Sequence, residues 1–287
     1  MSQRNPGQPF NMDLVLAAET APPAASYRLD GQDRVSSLLR VVRCLDLTSL
    51  EGNETRATIE ALCARARHPV IESLTVAAVC IYPAFVPAAR NALSGSGVLV
   101  ATVAAGFPSG TSPMNERLRE ITSAVAAGAD EIDVVIKRAH ALKGAWRELY
   151  DEIRAMRDAC GDRLMKVILG TGELETIANV ARASRVALMA GADFLKTSTG
   201  KEAVNATLPA GAAMAREIRW YERETGHAVG LKPAGGIRTA AVALDWLALA
   251  RAELGDRWLS PSLFRIGASS LLDDIGRELA LHRLSTV

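Results

Sequence analysis

The sequence predicts an α/β fold, a closed TIM or (β/α)8 barrel preceded by an N-terminal extension. Eight short apolar runs rich in β-branched residues alternate with helix-like stretches, and no linker or change of composition divides the chain after residue 36. The length of 287 residues and the hydrophobic content of 49% suit one barrel of ~250 residues. We therefore expect a partly flexible extension over residues 1–35 and a barrel catalytic domain over residues 36–287. An open, doubly wound sheet is the alternative.

The eight runs that predict strands are, in chain order, RCLDLTSL (43–50), TVAAVCIYP (75–83), GVLVATVAAG (97–106), DEIDVVIK (130–137), RLMKVILGTG (163–172), DFLKTSTG (193–200), VGLKPAGG (229–236) and LFRIGASS (263–270). Helical periodicity fills the intervals. Asn53 is expected to cap the helix after the first strand, and Gly128, Gly161, Gly191 and Gly226 are expected to end later helices. The leader before the first strand contains four prolines and is expected to be loosely structured.

Composition excludes several classes of protein. The 33 basic and 32 acidic residues nearly cancel, which disfavours a nucleic-acid or anionic-membrane partner. No window approaches ~18 uncharged apolar residues, so no membrane span is expected. Asp13 interrupts the one stretch that faintly resembles a signal peptide. The cysteines lack CxxC spacing and lie inside apolar patterns, which predicts reduced thiols in a cytoplasmic protein, with disulfides as the alternative. The histidines lack HxH or HExxH spacing, which disfavours a metal-dependent enzyme, and we expect no cofactor. The four cysteines are Cys44, Cys63, Cys80 and Cys160.

Charged residues in the predicted strands share one parity. Because side chains alternate along a strand, Asp133 points away from the face formed by Ile132 and Val134. The same parity sends Asp46, Cys80, Asp133, Lys166, Lys196, Lys232 and Arg265 into the barrel. One or two such residues would be explained as interior ion pairs. Seven, several of them near the C-terminal strand ends where barrel active sites lie, predict an active site.

Two inward lysines on neighbouring strands suggest amine chemistry. Burial and a nearby like charge both lower the pKa of a lysine. A shift of about three units from ~10.4 would leave a substantial neutral fraction near pH 7. A neutral amine attacks a carbonyl to form an imine, and Asp133 could transfer protons during that step. Parity alone does not decide whether Lys196 or Lys232 is the nucleophile.

Small-residue turns follow the last three predicted strands. They are STGK (198–201), PAGG (233–236) and GASS (267–270). One such turn is weak evidence of function, since it is often only a tight turn. Three in succession, with Ser269 and Ser270 as hydroxyl donors, predict the phosphate site that barrels commonly form after their last strands.

Eight motifs in the chain carry a family resemblance: FLKTSTGKEAVNAT, KPAGGIRT, FRIGASSLL, LDLTSL, AAVCIYP, ATVAAGFPSG, GADEIDVV and TGEL. With these motifs the sequence resembles the deoxyribose-phosphate aldolases, which are class I aldolases that work without metal. The resemblance extends from about residue 42 to about residue 275. It implies that Lys196 forms the Schiff base, that Lys232 depresses the pKa of Lys196, and that Asp133 transfers protons. The implied reaction is the reversible cleavage of 2-deoxy-D-ribose 5-phosphate into D-glyceraldehyde 3-phosphate and acetaldehyde. The implied partners are this small phosphorylated sugar and a second copy of the chain in a homodimer.

The resemblance also implies a set of binding residues. Asp46 would orient Lys232 or the substrate hydroxyls, and Cys80 and Thr199 would line the substrate pocket. Lys166 is placed in the same pocket, although its position beside Asp133 favours a neutralising role. The phosphate would be surrounded by Gly200, Lys201, Gly235, Gly236, Ser269 and Ser270. Arg265 is expected to be an interior ion-pair partner, and Lys137 and Arg138 are expected to be solvated loop charges.

Two departures from the family pattern affect these expectations. Shorter bacterial members often carry a glutamate where this chain has Gly170. Some members use a tyrosine in a C-terminal tail to assist proton transfer, whereas the last residues here are LHRLSTV, so Asp133 and water would take that role. Two other functions stay open: another Schiff-base aldolase of the transaldolase or keto-acid type, and a non-catalytic barrel that binds sugar phosphates. The donor aldehyde distinguishes the first, and failure to form an imine distinguishes the second.

Overall fold

The computed structural model describes residues 4–18, 27–29, 33–71 and 73–284. It contains eight strands, each lying within one of the predicted runs. They are β1 (Leu45–Thr48), β2 (Ala78–Ile81), β3 (Leu99–Ala104), β4 (Glu131–Val135), β5 (Leu164–Ile168), β6 (Phe194–Lys196), β7 (Gly230–Lys232) and β8 (Ile266–Ala268).

The strands form one parallel sheet that closes into a barrel. Each strand pairs with the next along the chain from β1 to β7, and β1 also pairs with β8. Two isolated parallel bridges, Leu231 with Phe264 and Ala234 with Gly267, connect the β7 region to the β8 region. The order of the strands confirms the predicted barrel and excludes the open sheet.

Helices cover the outside of the barrel. They are α1 (Met12–Leu16), α2 (Arg34–Arg43), α3 (Arg56–Arg67), α4 (Val86–Ala92), α5 (Met114–Ala126), α6 (Arg138–Leu142), α7 (Trp146–Cys160), α8 (Ile177–Met189), α9 (Leu208–Thr225), α10 (Ala240–Leu254) and α11 (Leu271–Leu284). Gly161 and Gly226 are the C-cap residues of α7 and α9, as predicted. Within the described residues, we find no helix with the length and apolar character needed to cross a membrane.

The predicted start of α3 at Asn53 is wrong. Thr55 is the N-cap, and it forms a reciprocal capping box with Thr58. The carboxylate of Glu54 instead accepts hydrogen bonds from the backbone N–H groups of Glu51 and Gly52. These bonds fold the residues after β1 into a turn, so the helix begins two residues later than predicted.

Two apolar clusters fill the structure and leave part of the barrel interior for charges. The larger cluster lies between the strands and helices and includes Ile132 and Val134, on the outward face predicted for β4. The smaller cluster contains Leu50, Ala78, Cys80, Ala101 and Val103 on the β1–β3 side of the interior. The interior side chains of β4 to β7 include five charged residues, which places the candidate site on that side: Glu131, Asp133, Lys166, Lys196 and Lys232.

The N-terminal segment packs on the outside of the barrel, although the sequence predicts a loosely structured leader. The Asn5 side chain is only 4% exposed, and Val15 of α1 is fully buried. Helix α1 contacts α7 and α8. The rest of the predicted leader includes residues 1–3, 19–26 and 30–32, which lie outside the described residues, as do residues 285–287 of the C-terminal tail.

Candidate active site

The centre of the candidate site is one carboxylate bound by three lysines from three successive strands. Asp133 lies on β4, and its register partner on β5 is Lys166. Its Oδ1 accepts a hydrogen bond from Lys166 Nζ at 2.8 Å. Its Oδ2 accepts from Lys196 Nζ at 2.8 Å and from Lys232 Nζ at 2.7 Å. Lys196 and Lys232 are themselves register partners on β6 and β7, so the two predicted neighbours do lie side by side.

A second row of charges lies beneath this centre. Lys166 Nζ is 2.6 Å from Glu131 Oε2, and Lys232 Nζ is 2.5 Å from Asp46 Oδ2. The guanidinium of Arg265 joins both acids, with nitrogen–oxygen distances of 2.6 Å to Asp46 and 2.7 Å to Glu131. Asp46, Asp133, Lys166 and Lys232 are all fully buried. Each charge therefore has a partner of opposite sign, which offsets the cost of removing it from water.

The pKa directions follow from this pairing. Burial alone would raise the pKa of Asp133, but the three surrounding ammonium groups hold it well below its usual range. Burial opposes the charge on Lys232, yet the carboxylates of Asp133 and Asp46 raise its pKa above the usual value. At neutral pH, Asp133 is therefore a carboxylate and Lys232 a cation.

The charge count identifies Lys196 as the distinctive amine of the cluster. Three lysines and one arginine face three acids, so the fully charged cluster carries one surplus positive charge. Among the described residues, Lys196 pairs only with Asp133, whereas Lys166 and Lys232 each pair with at least two acids. Geometry thus favours Lys196 as the reactive amine, a choice that strand parity left open.

Lys196 also connects the charge cluster to an open pocket at the C-terminal ends of the strands. Thr199, Gly200 and Lys201 line this pocket after β6. Gly235 and Gly236 line it after β7, and Ser269 and Ser270 line it after β8. All the residues predicted to surround phosphate therefore share one pocket with Lys196. Helix α11 begins directly after Ser270, so its N-terminus adds a favourable field for an anion.

The glycine of the β7 turn is required by its surroundings. Gly235 has φ of 83°, in the left-handed region, and a Cβ at this position would lie 2.5 Å from Asn205 Oδ1. Any other residue would strain the turn and push it away from the β6 loop. The backbone of this turn can therefore approach a ligand closely.

The remaining predicted site residues lie below the pocket. Asp46, Cys80 and Lys166 are fully buried and do not line it. The Sγ of Cys80 is 3.8 Å from Asp133 Oδ2, and burial raises the pKa of this thiol. These three side chains can influence the pocket only through Asp133, Lys196 and Lys232 in this structure.

Sequence reasoning missed four residues at the site. They are Glu51, Glu131, Glu202 and Arg238. Glu131 has the same strand parity as Asp133, two positions before it, so the pattern contained a usable signal. Arg238 and Glu51 line the pocket mouth from loops, where no periodicity indicates direction.

The expectation that Arg138 is a solvated loop charge is wrong. Its side chain is only 14% exposed, and it pairs with Glu173 at 2.6 Å. It also donates to the backbone carbonyls of Pro108 and Ser109. Arg138 therefore ties together the loops after β3 and β5. Lys137, in contrast, is exposed as predicted.

The fold and the pocket together define a barrel protein with a lysine amine at the base of a pocket lined by three small-residue turns. A family described as DeoC/LacD family aldolase matches residues 40–276. The chain belongs to this family of aldolases, which are carbon–carbon lyases. This result confirms the family resemblance predicted from the sequence motifs.

Individual relatives agree with this assignment. The chain is 47% identical to the deoxyribose-phosphate aldolase of Homo sapiens over 98% of this chain and 96% of the human protein. It is 52% identical to the Bos taurus deoxyribose-phosphate aldolase over 85% of this chain and 81% of the bovine protein. A solved structure from Coccidioides immitis superimposes with a TM-score of 0.76 at 25% identity, covering 93% of this chain and 96% of that one.

Proposed function

We propose that the protein cleaves 2-deoxy-D-ribose 5-phosphate reversibly into D-glyceraldehyde 3-phosphate and acetaldehyde through an imine on Lys196. One observation carries the proposal: Lys196 contacts the buried charge cluster and also lines a pocket that the three small-residue turns line. A sugar phosphate can reach both regions at once. The names of the relatives support this substrate.

In the first step, the neutral Lys196 amine attacks the C1 aldehyde of the open-chain sugar. The carbinolamine then loses water and leaves a protonated imine. Lys232 is a cation on the neighbouring strand and can donate a proton to the departing hydroxyl. Asp133 accepts hydrogen bonds from both ammonium groups, so it is placed to relay the proton.

In the second step, the protonated imine acts as the electron sink. The C3 hydroxyl gives its proton, through water, to Asp133 as the C2–C3 bond breaks and glyceraldehyde 3-phosphate leaves. The electron pair of that bond enters the imine and leaves an enamine on Lys196. The proton then returns from Asp133, through water, to the enamine carbon, and hydrolysis of the resulting imine releases acetaldehyde and restores the lysine. The protonated imine supplies the electron sink, so the proposed chemistry requires no metal ion.

The test is trapping with borohydride in the presence of acetaldehyde, followed by intact mass and peptide mapping. We expect a reduced ethyl group on Lys196, and no adduct at that position in Lys196→Ala. Lys143→Ala is the matched control, because Lys143 is exposed at the end of α6, and it should be modified at Lys196 as wild type is. An adduct on Lys232 or Lys166 would overturn the assigned roles, and no adduct in wild type would refute the imine mechanism.

We further propose that the protein is a cytoplasmic homodimer in which residues 36–287 form the catalytic domain and residues 1–35 an extension. Its four cysteines are buried and unpaired, which suits a reducing compartment. Light scattering after size exclusion tests the dimer. A tetramer is the competing outcome, since a deoxyribose phosphate aldolase from Aeropyrum pernix, matched at 20% identity with a TM-score of 0.65, is described as tetrameric.

A further inference from the structure

The turn after β6 already binds an anion that belongs to the chain itself. The carboxylate of Glu202 accepts hydrogen bonds from the backbone N–H of Thr199 at 2.9 and 3.1 Å and from that of Gly200 at 3.1 Å. Thr199 and Gly200 both line the pocket. Gly200 has φ of 87°, a conformation that turns successive N–H groups toward one point. These N–H groups are the backbone donors that a phosphate at this turn would use.

Glu202 is held by this backbone alone. None of the ion pairs found in the described part of the chain involves Glu202, and its side chain is half-buried. The neighbouring Lys201 pairs instead with Glu51 across the pocket mouth, at 3.2 Å. Moving Glu202 out of the turn would therefore break only N–H···O bonds, which the oxygens of a phosphate can replace.

Building on the proposed function, we propose that Glu202 determines how strongly the pocket binds phosphate groups. In the empty pocket its carboxylate occupies the N–H groups of the β6 turn, and the phosphate end of the substrate displaces it. Glu202 thus weakens the binding of every phosphate. The substrate also forms the bond to Lys196, whereas inorganic phosphate has no such second attachment. At a given phosphate concentration, the carboxylate therefore lowers the fraction of the pocket that free phosphate occupies, while the bond to Lys196 still retains the substrate.

A purely structural role for Glu202 predicts the opposite change in phosphate affinity when the carboxylate is removed. If the carboxylate served only to hold the turn in shape, its removal would loosen the turn and weaken phosphate binding. If it competes with phosphate, its removal strengthens phosphate binding. A single substitution separates the two.

The test compares wild type with Glu202→Gln, which keeps the shape of the side chain and removes its charge. The dissociation constant of inorganic phosphate is measured by titration calorimetry, and its inhibition constant is measured against cleavage of 2-deoxyribose 5-phosphate. We expect both constants to fall roughly 3- to 10-fold, since a charged acceptor gives way to a neutral one. The ratio of kcat/KM for 2-deoxyribose 5-phosphate to that for 2-deoxyribose should rise by a similar factor.

Glu173→Gln is the matched control. It removes one negative charge from the loop after β5, where its carboxylate pairs with Arg138 and does not line the pocket. Its side chain is 45% exposed, so we expect a change of less than about twofold. If the two substitutions change phosphate binding equally, the effect of Glu202 comes only from its general negative charge, and the proposal is overturned. Unchanged or weaker phosphate binding in Glu202→Gln would also overturn it.

Thermal unfolding checks that Glu202→Gln is folded, and Glu202→Ser provides the same comparison if it is not. Failure of the proposed function would appear differently, as a wild-type protein that does not cleave 2-deoxyribose 5-phosphate. Calorimetry with inorganic phosphate still tests Glu202 in that case, because it requires no turnover.

Discussion

The lysines inside apolar strands are accommodated because every one of them meets a buried carboxylate. Lys196 and Lys232 contact the same oxygen of Asp133, and Lys232 also reaches Asp46. An isolated ammonium in this interior would cost several kcal/mol, and the alternating signs offset that cost. The same arrangement gives the site its chemistry, because the amine with a single carboxylate partner is the one that faces the pocket.

Arg265 shows how much this balance contributes to stability. We predict that Arg265→Met lowers the free energy of unfolding by about 3–5 kcal/mol, because it leaves Asp46 and Glu131 buried with one partner fewer. Urea unfolding followed by circular dichroism measures the loss. The apolar stem of methionine fills most of the vacated space, so the effect reports the missing charge.

The matched control is Arg56→Met, which also removes an arginine–carboxylate pair. Arg56 pairs with Glu60 on the surface of α3, with the two side chains 77% and 49% exposed. Solvent screens this pair, so its loss should be far smaller than that for Arg265. Similar losses in the two variants would show that the interior cluster is not stabilised by its pairing.

The sequence predicts this cluster better than it predicts the pocket mouth. Strand alternation is strict, so the position of Asp133 or Lys166 in a strand fixes the side of the sheet that it faces. Glu131 obeys the same rule, although it lies at the start of its strand. Glu202, in contrast, lies in a turn, where its carboxylate accepts hydrogen bonds from the backbone N–H groups of Thr199 and Gly200. No periodicity reports those contacts.

At the scale of elements, the fit between neighbouring helices depends on a glycine. Helix α9 packs between α8 and α10. A Cβ on Gly211 of α9 would lie 2.2 Å from a ring carbon of Trp246 on α10. Trp246 is 2% exposed and has little room to move. Gly211 therefore allows α9 and α10 to approach closely.

We predict that Gly211→Ala destabilises the protein, although alanine favours an isolated helix by about 1 kcal/mol. The clash with Trp246 should outweigh this preference and cost about 1–3 kcal/mol, as overpacking usually does. Thermal or urea unfolding measures whether the free energy of unfolding falls or rises.

Gly276→Ala is the matched substitution in α11. A Cβ there would meet only Val70 Cγ1, at 3.9 Å, which is an ordinary van der Waals contact. Helix propensity then determines the effect of Gly276→Ala, and we expect the free energy of unfolding to rise by about 0.5–1 kcal/mol. Stabilisation by both alanines would show that α9 and α10 can separate at little cost.

The boundaries of the elements show where sequence reasoning loses accuracy. Glycine stops such as Gly161 and Gly226 were predicted correctly, because a helix end often needs a residue that adopts positive φ. The start of α3 was not, since Asn53 and Thr55 are both good N-cap residues. Hydrogen bonds from the turn to Glu54 settle the choice, and they exist only in the folded chain.

At the scale of the whole molecule, the barrel follows from the count and spacing of strands, but the N-terminal attachment does not. Residues 4–18 cross the outer surface of α7 and α8 rather than joining the repeating pattern. Their sequence contains two prolines, and its apolar residues give no periodic signal. The partners are backbone carbonyls and side chains more than a hundred residues away, which a local pattern cannot identify.

Asn5 is the anchor of this attachment. Its Nδ2 donates to the carbonyls of Leu188 and Ala192, both at 2.9 Å. Its Oδ1 accepts from the N–H of Gly7 at 3.0 Å and from the hydroxyl of Tyr221 at 2.7 Å. One side chain thereby satisfies groups on the segment itself, on α8, on α9 and on the loop before β6.

We predict that Asn5→Ala lowers the free energy of unfolding by about 2–4 kcal/mol, because it leaves several buried polar groups without a partner.

Asn11→Ala is the matched control in the same segment. The Asn11 side chain is exposed and only caps the five-residue α1 through the N–H groups of Asp13 and Leu14, so its loss should cost about 1 kcal/mol or less. Urea unfolding of both variants compares their free energies of unfolding. Borohydride trapping at Lys196 checks that the pocket is intact. If the two substitutions cost the same, residues 4–18 contribute little to holding α8 and α9 in place. A larger cost for Asn5 would show that residues 4–18 are part of the stable fold.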